Sequence, residues 1–127
     1  MLQKEVVERM IAAPADSNYG RLSVMLQYWF AMEKLLDVPA AAFQPAPKVE
    51  SAVIRLMPLR PLPCTARDYA TFARVVAAAF SQRRKTLRNS TRALVEPEAF
   101  TRAGLDAGRR GETLSVAEFI ALADAAR

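Results

Sequence analysis

The sequence predicts the tail end of an α/β sheet followed by a small all-α domain. Three observations carry this prediction. Apolar residues repeat at both helical and strand spacing before residue 58, and at helical spacing alone after residue 65. Pro58, Pro61 and Pro63 fall within six residues between the two regimes. Only two β-rich runs are present, too few for a whole sheet.

The elements follow in chain order. Residues 3–12 read as a helix, and "APADSNYG" after them as a turn-rich loop. Leu22, Met25, Leu26 and Trp29 then repeat at i, i+3, i+4 and i+7, which predicts a second amphipathic helix. In "FAMEKLLDV", Phe30, Met32, Leu36 and Val38 share one face at period two, interrupted by Lys34, which predicts a strand. "VESAVIRLMP" is apolar on both faces except at Arg55, the pattern of a strand covered on both sides. The prolines then remove backbone donors and resist helix, so the expected division is residues 1–58, a linker at 59–65, and residues 66–127. In the second part Thr65 with Asp68, and Ser115 with Glu118, have the spacing of capping boxes. Each precedes an apolar stripe: Tyr69, Phe72, Val76 and Phe80, then Val116, Phe119, Ile120 and Ala123. Between them a basic helix over 80–94 and a short helix from "EPEAF" to Gly104 complete a bundle.

Composition narrows the chemistry. The net charge of +5 and pI near 9.9 favour an acidic partner, nucleic acid above all. With no histidine and a single cysteine, Cys64, neither zinc, haem nor iron–sulfur sites nor a His-dependent triad is expected, and no metal. The lone cysteine fits a reducing compartment. No apolar run approaches the roughly 20 residues that cross a bilayer. "LQKEVVER" after Met1 lacks the apolar stretch of a secretion signal. A cytoplasmic protein without a membrane partner is the expectation.

Two stretches stand out. In "FSQRRKTLRNSTRAL" (80–94), Arg83, Arg84, Lys85, Arg88 and Arg92 fall in ten positions with no acid among them. As a helix, Arg84, Arg88 and Arg92 would lie within about 80° of one another, while Phe80, Leu87 and Leu94 would share a separate face. Guanidinium forks suit phosphate oxygens, and no aromatic is interleaved to stack on bases, so the stripe reads either as backbone contact to nucleic acid or as a solvated face. In "AFQPAPKVESAVIRL" (42–56), Pro45 and Pro47 stiffen the approach to a strand directly after Phe43. A ring held there either stacks on a flipped nucleobase or caps the core; Lys48 reads as a solvated strand end.

With "MLQKEVVERM", "YGRLSVMLQYWF", "VPAAAFQPAPKVESAVIRL", "FSQRRKTLRNS" and "GLDAGRRGETLSVAEF" in this order, the chain resembles the S-adenosylmethionine-dependent small-subunit rRNA adenine N6,N6-dimethyltransferases. The F-x-P-x-P-K-V-x-S motif is shared with the large-subunit resistance enzymes, whereas F-x-x-R-R-K-x-x-x-N and the G-[IL]-D tail point to the small-subunit branch. The resemblance implies the last strands and helices of a Rossmann-like methyltransferase sheet, starting at its fifth strand, and a helical domain that docks on small-subunit rRNA. It implies that Phe43, supported by Pro45 and Pro47, walls the target adenine, and that Arg83, Arg84, Lys85, Arg88 and Arg92 bind rRNA. Asn89 and Glu112 match family positions and read as capping or pairing residues. Thr91 stands where the family commonly has leucine, and Ala107 where it has proline.

The family's glycine-rich turn, its acidic residue after the second strand and its N-L-P-Y-like tetrad have no counterpart in these 127 residues. No catalytic or cofactor-binding residue is therefore expected here, and the chain by itself is expected neither to bind S-adenosylmethionine nor to methylate RNA. Its severed sheet should leave an open edge and an uncovered apolar face, with self-association as one outcome. A stand-alone basic RNA-binding or ribosome-assembly module without catalysis is the alternative.

Overall fold

The computed structural model describes residues 1–126. Its elements are β1 (Leu2–Gln3), α1 (Lys4–Ile11), α2 (Arg21–Gln27), β2 (Phe30–Val38), β3 (Ser51–Pro58), α3 (Tyr69–Ser81), α4 (Leu87–Ser90), α5 (Pro97–Ala103) and α6 (Val116–Ala125). Short 3₁₀ turns occupy Ala40–Ala42 and Gly111–Thr113. A small antiparallel sheet is thus followed by a helical bundle.

The sheet order is β1-β3-β2, with β3 in the centre. β1 is too short for a sequence signal; it pairs Leu2 with Ala52 and Gln3 with Ser51. Along β2 and β3 the register breaks between Lys34 and Leu36, leaving Leu35 as the extra residue of a bulge. One inserted residue reverses side-chain alternation beyond it. Phe30 and Met32 therefore share a face with Leu56, whereas Leu36 crosses to the face of Val53 and Val38 to that of Ser51. The expectation of one continuous apolar face on β2 is corrected by this bulge. Ion pairs confirm the two faces: Arg55 meets Glu33 at 2.7 Å on one, and Lys34 meets Asp37 at 3.2 Å on the other.

The double coverage expected for β3 is also absent. Ala52 is buried, but Leu56 and Met57 are 44% and 42% exposed, and Leu35 and Leu36 are about half exposed. α1 packs against β2 and β3, leaving much apolar sheet surface uncovered.

The stripe expected on α2 turns differently. Leu22 and Trp29 are each 41% exposed, and the buried positions are Ser23, Val24 and Tyr28. Two side-chain anchors to α1 set this rotation. The Ser23 hydroxyl accepts from the Gly20 amide at 3.1 Å and donates to the Arg9 carbonyl. The Gln27 amide donates to the Met10 and Ala12 carbonyls at 2.9 and 2.8 Å, satisfying acceptors left free at the end of α1.

One core cluster spans the proline segment. Ala12, Tyr19, Val24 and Tyr28 join Phe72, Val75, Val76, Leu87, Phe100, Leu114, Phe119 and Leu122. Tyr19 and Tyr28 enter it by pairing their hydroxyls: Tyr19 donates to the Leu114 carbonyl at 2.6 Å, and Tyr28 accepts from the Ala66 amide at 2.9 Å. Burial pushes the Tyr19 phenol well above its ordinary pKa.

Helix ends follow their local chemistry. Asp68 itself caps α3, accepting from the Ala70 amide at 3.1 Å and the Thr71 hydroxyl at 2.8 Å, so Thr65 is not the cap its spacing suggested. Gly104 closes α5 at φ +72°, a left-handed conformation that glycine adopts without strain. The Ser115/Glu118 capping box forms as read.

Arg109 extends that box into a clamp. Its guanidinium meets both Glu118 oxygens, at 2.6 and 3.2 Å, and the Thr113 carbonyl at 2.7 Å. The Arg109 hydrogen bond holds the Glu118 carboxyl below its ordinary pKa. A depressed carboxylate pKa means stability that is present above the unfolded-state value and lost as pH falls through the folded one. Glu118→Gln should therefore lower stability near neutrality by about 1–2 kcal/mol. In thermal melts, the gap to wild type should close as pH falls below the usual carboxylate range.

Candidate nucleic-acid interface

The basic stretch is not one helix. α3 ends at Ser81, Gln82 leaves helical geometry at φ −138° and ψ 81°, and Arg83, Arg84 and Lys85 form a turn closed by the Lys85 amide on the Gln82 carbonyl at 3.0 Å. α4 then begins at Leu87, and residues 91–94 are turn. The helical wheel that aligned Arg84, Arg88 and Arg92 is corrected accordingly.

Competition for backbone partners explains the break. In a continuous helix the Leu87 and Arg88 amides would bond four residues back, to the Arg83 and Arg84 carbonyls. Here they donate to the Arg109 and Ala107 carbonyls at 2.8 and 3.1 Å. The Arg84 carbonyl instead accepts from Arg110 Nε at 3.1 Å. The tail loop 105–110 thus takes over the hydrogen bonds that would have joined α3 to α4. That loop is shaped by Asp106, whose carboxylate accepts from the Gly108 amide at 2.8 Å. Gly111 follows where a Cβ would lie 3.0 Å from the Ala79 Cβ, so glycine is required by close packing.

The apolar half of the earlier reading survives the break. Leu87 is fully buried, and Phe80 and Leu94 pack on the core. Thr91 is buried, and its hydroxyl donates to the Leu87 carbonyl at 2.6 Å, which lets a polar residue occupy this position.

All five cations of the run are exposed, and they divide by their partners. Arg84, Lys85, Arg88 and Arg92 are exposed, Arg92 donating to Asn89 Oδ1 at 2.8 Å. Arg110, which sequence reasoning passed over in "GRRGE", joins the same surface through its bond to Arg84. Arg83 turns back instead: its guanidinium donates to the Tyr19 carbonyl at 2.6 Å, meets Glu112 at 3.5 Å and lies 5.9 Å from the Phe80 ring centroid. Asn89 and Glu112 are both pairing residues, as their positions suggested. Arg9 and Arg21 line a cleft of about 320 Å³ beside Arg83 and Asn18, with no acid in its wall. The charge of this wall is partly offset, since Arg9 pairs with Glu5 at 2.7 Å and Arg83 with Glu112.

Phe43 lies on the β2–β3 connection, away in sequence from the basic turn. Its backbone is extended (φ −109°, ψ 156°), its amide closes the Ala40–Ala42 turn at 3.2 Å, and its ring is half-buried outside the main core cluster. Pro45, Pro47 and Lys48 beside it are exposed.

A three-stranded antiparallel sheet bearing a helical bundle is a fold shared with solved structures. A dimethyladenosine transferase from Plasmodium falciparum superposes with a TM-score of 0.74 at 23% identity, over 94% of this chain and 53% of that one. The 23S rRNA methyltransferase ErmE gives 0.64 at 22% identity, over 97% and 51%. The fold matches about half of each of these chains.

Sequence comparison fixes the family: the chain belongs to the ribosomal RNA adenine dimethylases, whose model matches residues 1–127. It is 62% identical over 122 residues to ribosomal RNA small subunit methyltransferase A of Thiobacillus denitrificans, covering 96% of this chain and 48% of that protein. It is 57% identical to the enzyme of the same name from Aromatoleum aromaticum, covering 96% and 46%. The chain spans about half the length of the curated relatives it matches.

Proposed function

We propose that this chain is the C-terminal portion of an rRNA methyltransferase that dimethylates N6 of two adjacent adenosines in small-subunit rRNA with S-adenosylmethionine. The family match along residues 1–127 is the observation that carries this reading. In it, Arg84, Lys85, Arg88 and Arg92 dock on the phosphates of small-subunit rRNA, and Phe43, stiffened by Pro45 and Pro47, forms a wall for the target base. Support comes from the exposure of those four cations and from a Phe43 ring that is half-buried outside the main core. The setting is cytoplasmic; among the described residues no helix is long and apolar enough to cross a membrane.

In this reading the glycines offer the cofactor no strand-to-helix turn: Gly104 terminates α5, Gly20 precedes α2 after a loop, and Gly108 and Gly111 lie in the loop and 3₁₀ turn that follow α5. The chemistry therefore rests on groups outside these residues, and this chain binds and orients RNA. Exocyclic N6 is a weak nucleophile, so orienting the adenine is a large part of what catalysis requires.

A methylation assay on small subunits lacking N6 methylation tests the reading. The chain alone should bind rRNA and transfer no methyl groups, and the chain joined to the first half of the Thiobacillus denitrificans relative should transfer them. Failure of the joined protein to methylate, with binding retained, would favour a module that binds RNA without catalysis.

A further inference from the structure

We propose that Arg83 is a positioning residue: a latch that fixes the basic turn and the loop after α1 to the tail, and so sets where Arg84 and Lys85 stand. The inference rests on the rRNA-docking reading above. Arg83 is the first cation of the run, but, although 45% exposed, it reaches back through Nη2 to the Tyr19 carbonyl at 2.6 Å and to Glu112 at 3.5 Å. It passes close over the start of α2, since a Cβ on Gly20 would lie 3.9 Å from Nη1.

Two further bonds tie the same segments together. The Ala15 amide donates to the Glu112 carbonyl at 2.7 Å, and the Tyr19 hydroxyl to the Leu114 carbonyl at 2.6 Å. Three stretches distant in sequence, 15–20, 83–85 and 110–114, therefore meet at one guanidinium. The turn it starts has no regular secondary structure to hold it, because α3 has ended and α4 has not begun. Beyond its own Lys85–Gln82 backbone bond, side-chain and tail contacts fix its direction. Both partners are met by Nη2, and the rigid guanidinium plane, with Nη1 over the start of α2, fixes that nitrogen's place as a lysine ammonium on a flexible stem does not.

Charge separates a latch from a phosphate contact. A contact removed by Arg83→Ala lowers the salt slope of log K by about one unit, and Arg83→Lys, keeping the charge, restores most of the binding. A latch gives the reverse: both variants weaken binding of the 127-residue chain to small-subunit rRNA roughly tenfold, with the slope unchanged. Glu112→Gln supplies an independent sign. Removing an acid near a cationic surface strengthens RNA binding by simple electrostatics; loss of the latch weakens it. Arg84→Ala with Arg88→Ala serves as the contact control, and melting curves fix a temperature at which every variant is folded.

Amide exchange reads the latch without RNA. In Arg83→Ala the Ala15 amide should lose protection while the amides of α6 keep theirs. Unchanged Ala15 protection overturns the latch, as does wild-type affinity in Arg83→Lys together with a reduced slope in Arg83→Ala. If the wild-type chain shows no rRNA affinity, the docking reading fails and exchange alone decides the latch.

Discussion

Replacing Arg84 and Arg88 together by alanine is expected to weaken binding to small-subunit rRNA and to flatten the salt dependence of log K by roughly 1–2 units. Each phosphate neutralised on duplex RNA or DNA releases condensed counterions, with a slope near −0.9 per contact by analogy with B-DNA, so two lost contacts set that range. The two side chains are separable from folding. Both are exposed, and Arg88 enters the structure through its backbone amide, which bonds Ala107 whatever the side chain. Arg84 likewise contributes its carbonyl, to Arg110. The variant should therefore melt within about 0.5 kcal/mol of wild type, as surface substitutions do. Filter binding or fluorescence anisotropy across a salt series measures both quantities. An unchanged affinity and slope would mean that this surface is only solvated.

The basic stretch presents these side chains without being one helix. "FSQRRKTLRNSTRAL" contains no proline or glycine, so nothing local marks a break. The break is imposed by the Arg109 and Ala107 carbonyls, about twenty residues away, which accept the Leu87 and Arg88 amides respectively. Such long-range competition leaves no periodic trace. The bulge at Leu35 is similar, because it depends on the pairing partner, and it moved Leu36 and Val38 to the opposite face. Two signals that complete themselves locally are legible, the Ser115/Glu118 box and the glycine stop of α5, whereas the Thr65/Asp68 spacing misleads because Asp68 is itself the cap.

The site divides in the same way. Charge exposes Arg84, Lys85, Arg88 and Arg92 to any reader of the sequence. The backward reach of Arg83 was hidden, because its partners are a carbonyl at Tyr19 and an acid at Glu112. "GRRGE" did hold a usable signal, since its two arginines serve different ends. Arg109 clamps Glu118 within the tail, and Arg110 reaches the basic turn.

Phe43→Ala, in the joined protein proposed above, is expected to lower methyl transfer about ten- to a hundredfold while rRNA affinity stays within about twofold. The magnitude follows from stacking, which is worth roughly 1–3 kcal/mol per base, and each 1.4 kcal/mol is about tenfold in rate. Affinity is spared because a single unstacked base adds little to an interface held by phosphate contacts. The ring can be removed without opening the main core, which is built from other residues. Its backbone is held by the turn at Ala40–Ala42, whose hydrogen bond uses the Phe43 amide and outlasts loss of the side chain. Phe43→Tyr, which keeps a stacking face, should retain most of the activity; Phe43→Leu, which keeps bulk without a π surface, should not. Single-turnover methylation of unmethylated small subunits separates transfer from binding. Equal rates for the alanine variant and wild type would assign Phe43 to packing between the loop and the sheet. Activity in Phe43→Leu matching that in Phe43→Tyr would show that the wall works by shape rather than by stacking.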